Sequence, residues 1–423
     1  YLAACAVELG SRDAEAALRR FEARYPGSVY ANDVRFSLGS YYCAEGNMKR
    51  AREAFEKTDY KALGRARKEQ YDVRMGYVEF TDGDYDKAFG YFDRIGPQSE
   101  YADHALYYKS YIDYAEGRYG RAKQGFTALQ RSDAYRDVVP YYLLQIEFHE
   151  GNYRYVVENG GKLVQRAVPE RRKELERVIA ESWFRLGDFN KTIEHLDAFA
   201  AAGGELDRDG SYLMGFSLYR TARYPEAAEY LRRACGAEDA LTQNASYHLA
   251  DCYLRAGDKR AAMHAFAMAA DDRFDATIAE DALFNYGKLQ YELGGGAFNG
   301  AINVLTRYVE QYPSSPRVGE ARTLLIAAYY NSNDYDAAYR AIKSFPTQDA
   351  DIRAALQKIT YFRGLEAYNA GDMRAAQRYL AESAAINVSP KYSALNSFWQ
   401  GEIAFAQGDY TVAAAKYNAY LKR

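Results

Sequence analysis

Residues 81–92 read TDGDYDKAFGYF, with Asp82, Asp84 and Asp86 at alternate positions and Asp93 just beyond. Carboxylates at the first, third, fifth and twelfth places of a loop are the ligand pattern of a twelve-residue calcium site. Such a loop also needs Gly at its sixth place, where this chain has Lys87. The competing reading is a turn between two helices, in which Gly83 ends one helix and Asp84 caps the next. The remainder of the chain decides between the two.

Relatives of the stretch recur throughout the 423 residues: EGNMKRAREAF (45–55), EGRYGRAKQGF (116–126), LGDFNKTIEHL (186–196), ARYPEAAEYL (222–231), AGDKRAAMHAF (256–266), NDYDAAYRAI (333–342), AGDMRAAQRYL (370–380) and QGDYTVAAAKY (407–417). RDAEAALRRF (12–21), HEGNYRYVVENG (149–160) and GGAFNGAINVL (295–305) complete a series of twelve turns. With Arg12, Gly46, Gly83, Gly117, Gly151, Gly187, Ala222, Gly257, Gly296, Asn333, Gly371 and Gly408 as equivalent markers, the spacing runs from 34 to 39 residues. A period of this size marks a solenoid of stacked helix pairs. Five residues after the marker, ten of the twelve positions are Ala. The flanking carboxylates, by contrast, change freely: Glu45, Asn47 and Lys49 in one turn, Glu116, Arg118 and Gly120 in another. What recurs is what a helix-turn-helix requires, so the stretch predicts a turn and no metal site.

The G-[DN]-[YF]-x-x-A turn has a small residue seven places before it (Gly39, Gly76, Ser110, Ala180, Gly215, Ala250, Gly364, Gly401). A large apolar residue stands nine places after it (Phe55, Phe92, Phe126, Leu196, Leu231, Phe266, Leu305, Leu380). Leu144 and Ile326 depart from the first rule and Gly160 from the second. The pattern resembles the tetratricopeptide repeat over essentially the whole chain. The resemblance implies an all-α, right-handed superhelical solenoid of about twelve antiparallel helix pairs, forming one domain over 1–423. Repeats are expected near 1–31, 32–68, 69–102, 103–136, 137–172, 173–207, 208–242, 243–279, 280–318, 319–356, 357–393 and 394–423. The small residue of each first helix is expected to face the Ala of the second, and Asp84, Asp188, Asp258, Asp334, Asp372 and Asp409 to cap second helices. Tyr25-Pro26-Gly27-Ser28 and Tyr312-Pro313-Ser314-Ser315 separate repeats. They resemble the Y-P-x-S linkers of tetratricopeptide proteins of bacterial envelopes, including outer-membrane assembly lipoproteins and the periplasmic Tol-associated coordinator. That implies a periplasmic or outer-membrane-associated protein, with the cytoplasm left open.

A net charge of -3 and a pI near 6.1, with no basic run, exclude nucleic acid as a main partner. No stretch reaches the ~18 to 20 apolar residues of a membrane span. The chain starts at Tyr1 and stops at the end of a repeat with no polar capping helix, which predicts a segment of a longer protein. Cys5, Cys43, Cys235 and Cys252 lack zinc spacing; Cys235 and Cys252 lie where neighbouring helices would allow a disulfide. Gly294 to Gly296 fall in a repeat stretched to 39 residues and read as a loop insertion rather than a phosphate cradle.

The five His form no H-E-x-x-H, and no G-x-S-x-G occurs, so no enzyme and no cofactor are predicted. Function is expected on the first helices. In the family, ligands meet positions that here lie thirteen, ten, six, three and two residues before the marker. The rows at three and ten are aromatic but share the packing stripe. The row at six holds Tyr77, Tyr111 and Phe216; the row at two holds Arg185, Arg220 and Arg255 in three consecutive repeats, offset by Glu181 and Asp251. These six residues are the candidate groove for a carboxylate-bearing peptide. The basic carboxylate clamp of some family members is not expected, because Asn is missing from the matching places. The expected role is a non-catalytic interaction scaffold for a protein or peptide; a small molecule or glycan on the Tyr-rich wall is the alternative.

Overall fold

The computed structural model describes residues 13–271, 273–294, 299–345 and 349–422. Over these it contains 23 α-helices, two short 3-10 turns and no strand. The chain divides between Gly204 and Glu205 into two compact units. The first opens with Ala14–Arg24 and continues as the antiparallel pairs Ala31–Ala44 with Met48–Glu56, Arg65–Thr81 with Tyr85–Phe92, Ala102–Ala115 with Tyr119–Ala128, Val139–His149 with Tyr153–Val164, and Pro169–Leu186 with Phe189–Ala201. The second comprises Arg208–Arg220 with Tyr224–Ala234, Ala240–Arg255 with Lys259–Asp271, Ala276–Leu293 with Asn299–Gln311, Val318–Asn331 with Tyr335–Ser344, Ala350–Asn369 with Met373–Ile386, and Pro390–Ala406 with Tyr410–Leu421. Within the second unit every first helix also meets the next first helix, the contact pattern of a helical solenoid.

Each turn is made locally. All ten markers among the described residues have positive φ, the glycines between 72° and 84°, Ala222 at 62° and Asn333 at 57°. In nine turns the amide after the marker donates to the carbonyl five residues back, as Asp84 does to Glu79 at 3.0 Å, closing the helix in a Schellman motif. All six predicted aspartates then cap second helices, each accepting from the amide three residues on at 2.9 to 3.1 Å. Each such cap contributes about 1 kcal/mol. The markers Arg12 and Gly296, and most of the Gly294 to Gly296 insertion, lie outside the described residues.

The stretch TDGDYDKAFGYF is therefore a hinge, and its carboxylates have separate uses. Asp84 caps at Lys87, Asp82 pairs with Arg52 at 2.5 Å, and Asp93 pairs with Lys109 at 3.1 Å.

Packing within a pair adds one contact to those expected. The Ala five after the marker is fully buried, as at Ala51, Ala88 and Ala227, and the nearest neighbour of the small residue seven before the marker is a different side chain of the same helix face. That neighbour is the large residue nine after the marker. A Cβ added at Gly39 would lie 2.6 Å from the Phe55 ring, at Gly76 2.8 Å from Phe92, and at Gly364 2.7 Å from Leu380. The large ring thus reaches across the pair, and the missing side chain is the socket that receives it. The same rings bind the next repeat: Phe92 stacks on Tyr108 with centroids 5.2 Å apart, and Phe126 on Tyr142 at 4.8 Å.

A polar residue fourteen before the marker, near the start of several first helices, ties down the linker to the following repeat. Gln243 donates to Ala269 and Asp275 carbonyls and accepts from the Asp275 amide at 2.7 Å. Gln357 repeats the arrangement on Val388 and Ser389. Asn32 does so on Asp59, and Arg208 reaches the Ala234 carbonyl and Asp239. Both glutamines are completely buried, and their amides satisfy backbone groups that would otherwise be orphaned at the turn.

Candidate functional site

In the first unit, Tyr77 and Tyr111 are both partly buried on first helices and belong to one aromatic cluster. Tyr77 meets the edge of Tyr108 at 5.8 Å, Phe80 lies 4.8 Å from Tyr108 and 5.2 Å from Tyr111, and Tyr111 lies 5.7 Å from Tyr142. Burial pushes the Tyr108 hydroxyl up to about 12 and raises that of Tyr111. Neither ring stands free: each is partly exposed and packs against its aromatic neighbours. Arg185 is exposed and makes no ion pair among the described residues; Glu181, expected to offset it, pairs with Arg177 at 3.0 Å.

In the second unit, Phe216, Arg220 and Arg255 come together around the first helices Arg208–Arg220 and Ala240–Arg255. The Arg220 guanidinium lies 5.8 Å over the Phe216 ring, and Phe216 packs 4.9 Å from His248. Arg255 donates to Asp251 at 2.8 Å and lies 4.8 Å over Tyr224, in the turn of the preceding repeat. Tyr219 donates to the same Asp251 oxygen, also at 2.8 Å. Arg255 is thus held by a carboxylate and a ring, while its charge stays at the surface. His248 sits among Phe216, Tyr219 and Tyr247, and its Nδ1 is buried with no hydrogen-bond partner among the described residues. Desolvation in this aromatic nest pushes its pKa down to about 4, so it is a neutral ring near pH 7. His149 is seated as Arg255 is, stacking on Tyr119 of the preceding turn at 4.7 Å.

The row at three before the marker is committed to the turns. It pairs with the ring two after the marker in Phe80–Tyr85, Tyr114–Tyr119, Phe148–Tyr153, Phe184–Phe189, Tyr219–Tyr224, Tyr330–Tyr335 and Phe405–Tyr410, at 5.4 to 6.0 Å. Cys43, Cys235 and Cys252 are free thiols. Cys235 and Cys252 are therefore not joined to each other; Cys235 lies 3.3 Å from the Ser246 hydroxyl, burial pushes the Cys252 thiol up to about 12, and Cys5 lies outside the described residues.

A family model described as tetratricopeptide repeat matches residues 212–277 and 362–423. The chain is a tetratricopeptide repeat protein. The tract between those matches, residues 278–385, fits a model described as outer membrane lipoprotein, so the two cover the second unit almost entirely. No curated protein matches the sequence. Among solved structures, the tetratricopeptide repeat protein of Parabacteroides merdae is 16% identical, covering 59% of this chain and 92% of its own, with a TM-score of 0.30. The TPR2AB domain of yeast Sti1, in complex with a pHSP90, is 14% identical, covering 68% of this chain and 100% of its own, with a TM-score of 0.31. The structure of Naa15/Naa10 bound to HypK-THB is 15% identical over 96% of this chain, which spans 65% of that chain, with a TM-score of 0.32. Tetratricopeptide repeats are in general protein-interaction scaffolds, and typically non-catalytic ones. No helix among the described residues is long and apolar enough to cross a membrane.

Proposed function

We propose that this tetratricopeptide repeat protein is a non-catalytic scaffold in a bacterial envelope that holds an extended or helical segment of a partner protein against its first helices. The observation that supports the reading lies in the second unit, where Arg220 and Arg255 are exposed on successive first helices and rest on the Phe216 and Tyr224 rings. Guanidinium groups seated on aromatic faces keep a fixed geometry and recognise carboxylates bidentately. The glycan reading finds less support: the faces a sugar would stack on are taken by ring-on-ring contacts such as Tyr107 on Tyr135 at 4.6 Å. The envelope placement is supported by the Y-P-x-S linkers and by the match of residues 278–385 to the outer membrane lipoprotein model.

A photo-crosslinking amino acid at Tyr77, Tyr111 or Phe216 is expected to capture one partner from envelope fractions. The same probe at Glu229, exposed on a second helix, is expected to capture none. Arg220→Glu with Arg255→Glu is expected to abolish capture at Phe216. Equal capture from Glu229, or capture that survives both charge reversals, would refute the reading.

A further inference from the structure

The linker joining Tyr153–Val164 to Pro169–Leu186 lies away from the first-helix rows. The linker borders a cleft of about 500 Å³, within the range of small-ligand sites. The place fourteen before the turn marker, whose side chain clamps the linker in other repeats, is here Asp137. Asp137 lines the cleft and makes no ion pair among the described residues. The cleft is floored by Leu163 and by Leu175, which is 1% exposed, and rimmed by Val168 at 55%.

Three guanidinium groups border this apolar floor, and one of them, Arg136, is paired with Asp133 at 3.1 Å. Arg166 is exposed, Arg171 is partly buried with its guanidinium 5.2 Å over the Tyr141 ring, and neither pairs with a carboxylate among the described residues. Two unpaired planar cations beside an apolar floor are complementary to an anion with an apolar body, since the cations supply bidentate donors and the floor removes the tail from water. We propose that this cleft binds a carboxylate carried on a short apolar chain. The inference stands independently of the first-helix face. The carboxylate can come from a free amphipathic acid or from an acidic side chain flanked by apolar ones, and two probes separate these sources.

Isothermal titration of the full chain with octanoate is expected to saturate at one site, with octanamide at least about tenfold weaker. Acetyl-Leu-Asp-Leu-amide tests the second source: competition with octanoate assigns the cleft to a peptide side chain, and no binding assigns it to the free acid. Arg166→Gln with Arg171→Gln is expected to lower octanoate affinity at least about tenfold, and Asp137→Asn to raise it several-fold by removing a like charge. These positions are at the surface, and an unchanged far-UV spectrum checks the fold of each variant. Equal binding of octanoate and octanamide, full affinity in the double arginine variant, or no saturable binding of either carboxylate up to about 10 mM would overturn the proposal.

Discussion

Two helix pairs break the small-residue rule, and they do so in different ways. In Val139–His149 with Tyr153–Val164 the sizes are exchanged: Leu144 occupies the small place and Gly160 the large one. In Val318–Asn331 with Tyr335–Ser344 both places are large, Ile326 and Ile342. Leu144 is buried to 1%, with its Cδ2 3.8 Å from where a Gly160 Cβ would stand, and Ile179 of the next repeat fills the remaining space. Ile342 is completely buried, but Ile326 remains partly exposed. These two pairs meet less closely than the others. Each borders a cleft, of about 500 Å³ and 520 Å³.

The contrast can be broken experimentally. Gln357→Leu would convert a closed repeat toward the open kind, stranding the Val388 and Ser389 amides that now donate to its side chain. Each buried orphan costs about 1 to 3 kcal/mol, so a loss of about 4 kcal/mol is expected in urea unfolding. Leu144→Ala should lose about 3 kcal/mol, the usual cost of an aliphatic cavity. Gly160→Leu should lose about 2 kcal/mol by overpacking against Ile179 and Leu144, and a double-mutant cycle with Leu144→Ala should return at least about 1 kcal/mol of favourable coupling. Additivity would mean that the exchange of sizes is not compensation. Ile326→Ala should lose under about 1 kcal/mol, because the side chain is already partly in water. Ala222→Gly should gain about 0.5 kcal/mol: Ala222 is an exposed L-residue held at a φ of 62°, and relief of that strain outweighs the added chain entropy.

The candidate site was legible in its residue types and less so in their neighbours. The sequence placed Arg185, Arg220 and Arg255 in one row, and all three are exposed. It could not show that Arg255 would be held by Asp251 and rest on Tyr224, since that ring comes from the preceding repeat. The clamp residues Asn32, Arg208, Gln243 and Gln357 escaped notice because their identities vary. The signal available was only a polar side chain recurring fourteen places before the marker, at an otherwise unremarkable helix start.

The sequence by itself determined the period, the turns and the caps, because left-handed φ at the marker and an Asp oxygen reaching an amide three residues on are interactions within one turn of chain. TDGDYDKAFGYF could be recognised as a hinge on those grounds alone. Only the tertiary structure decided that the small residue receives the large side chain nine after the marker, that Leu144 and Gly160 exchange places, and that the chain divides at Gly204 into two units. These depend on which side chains meet across a pair or between repeats, and a repeat pattern records the size at each position without recording the partner that fills the space.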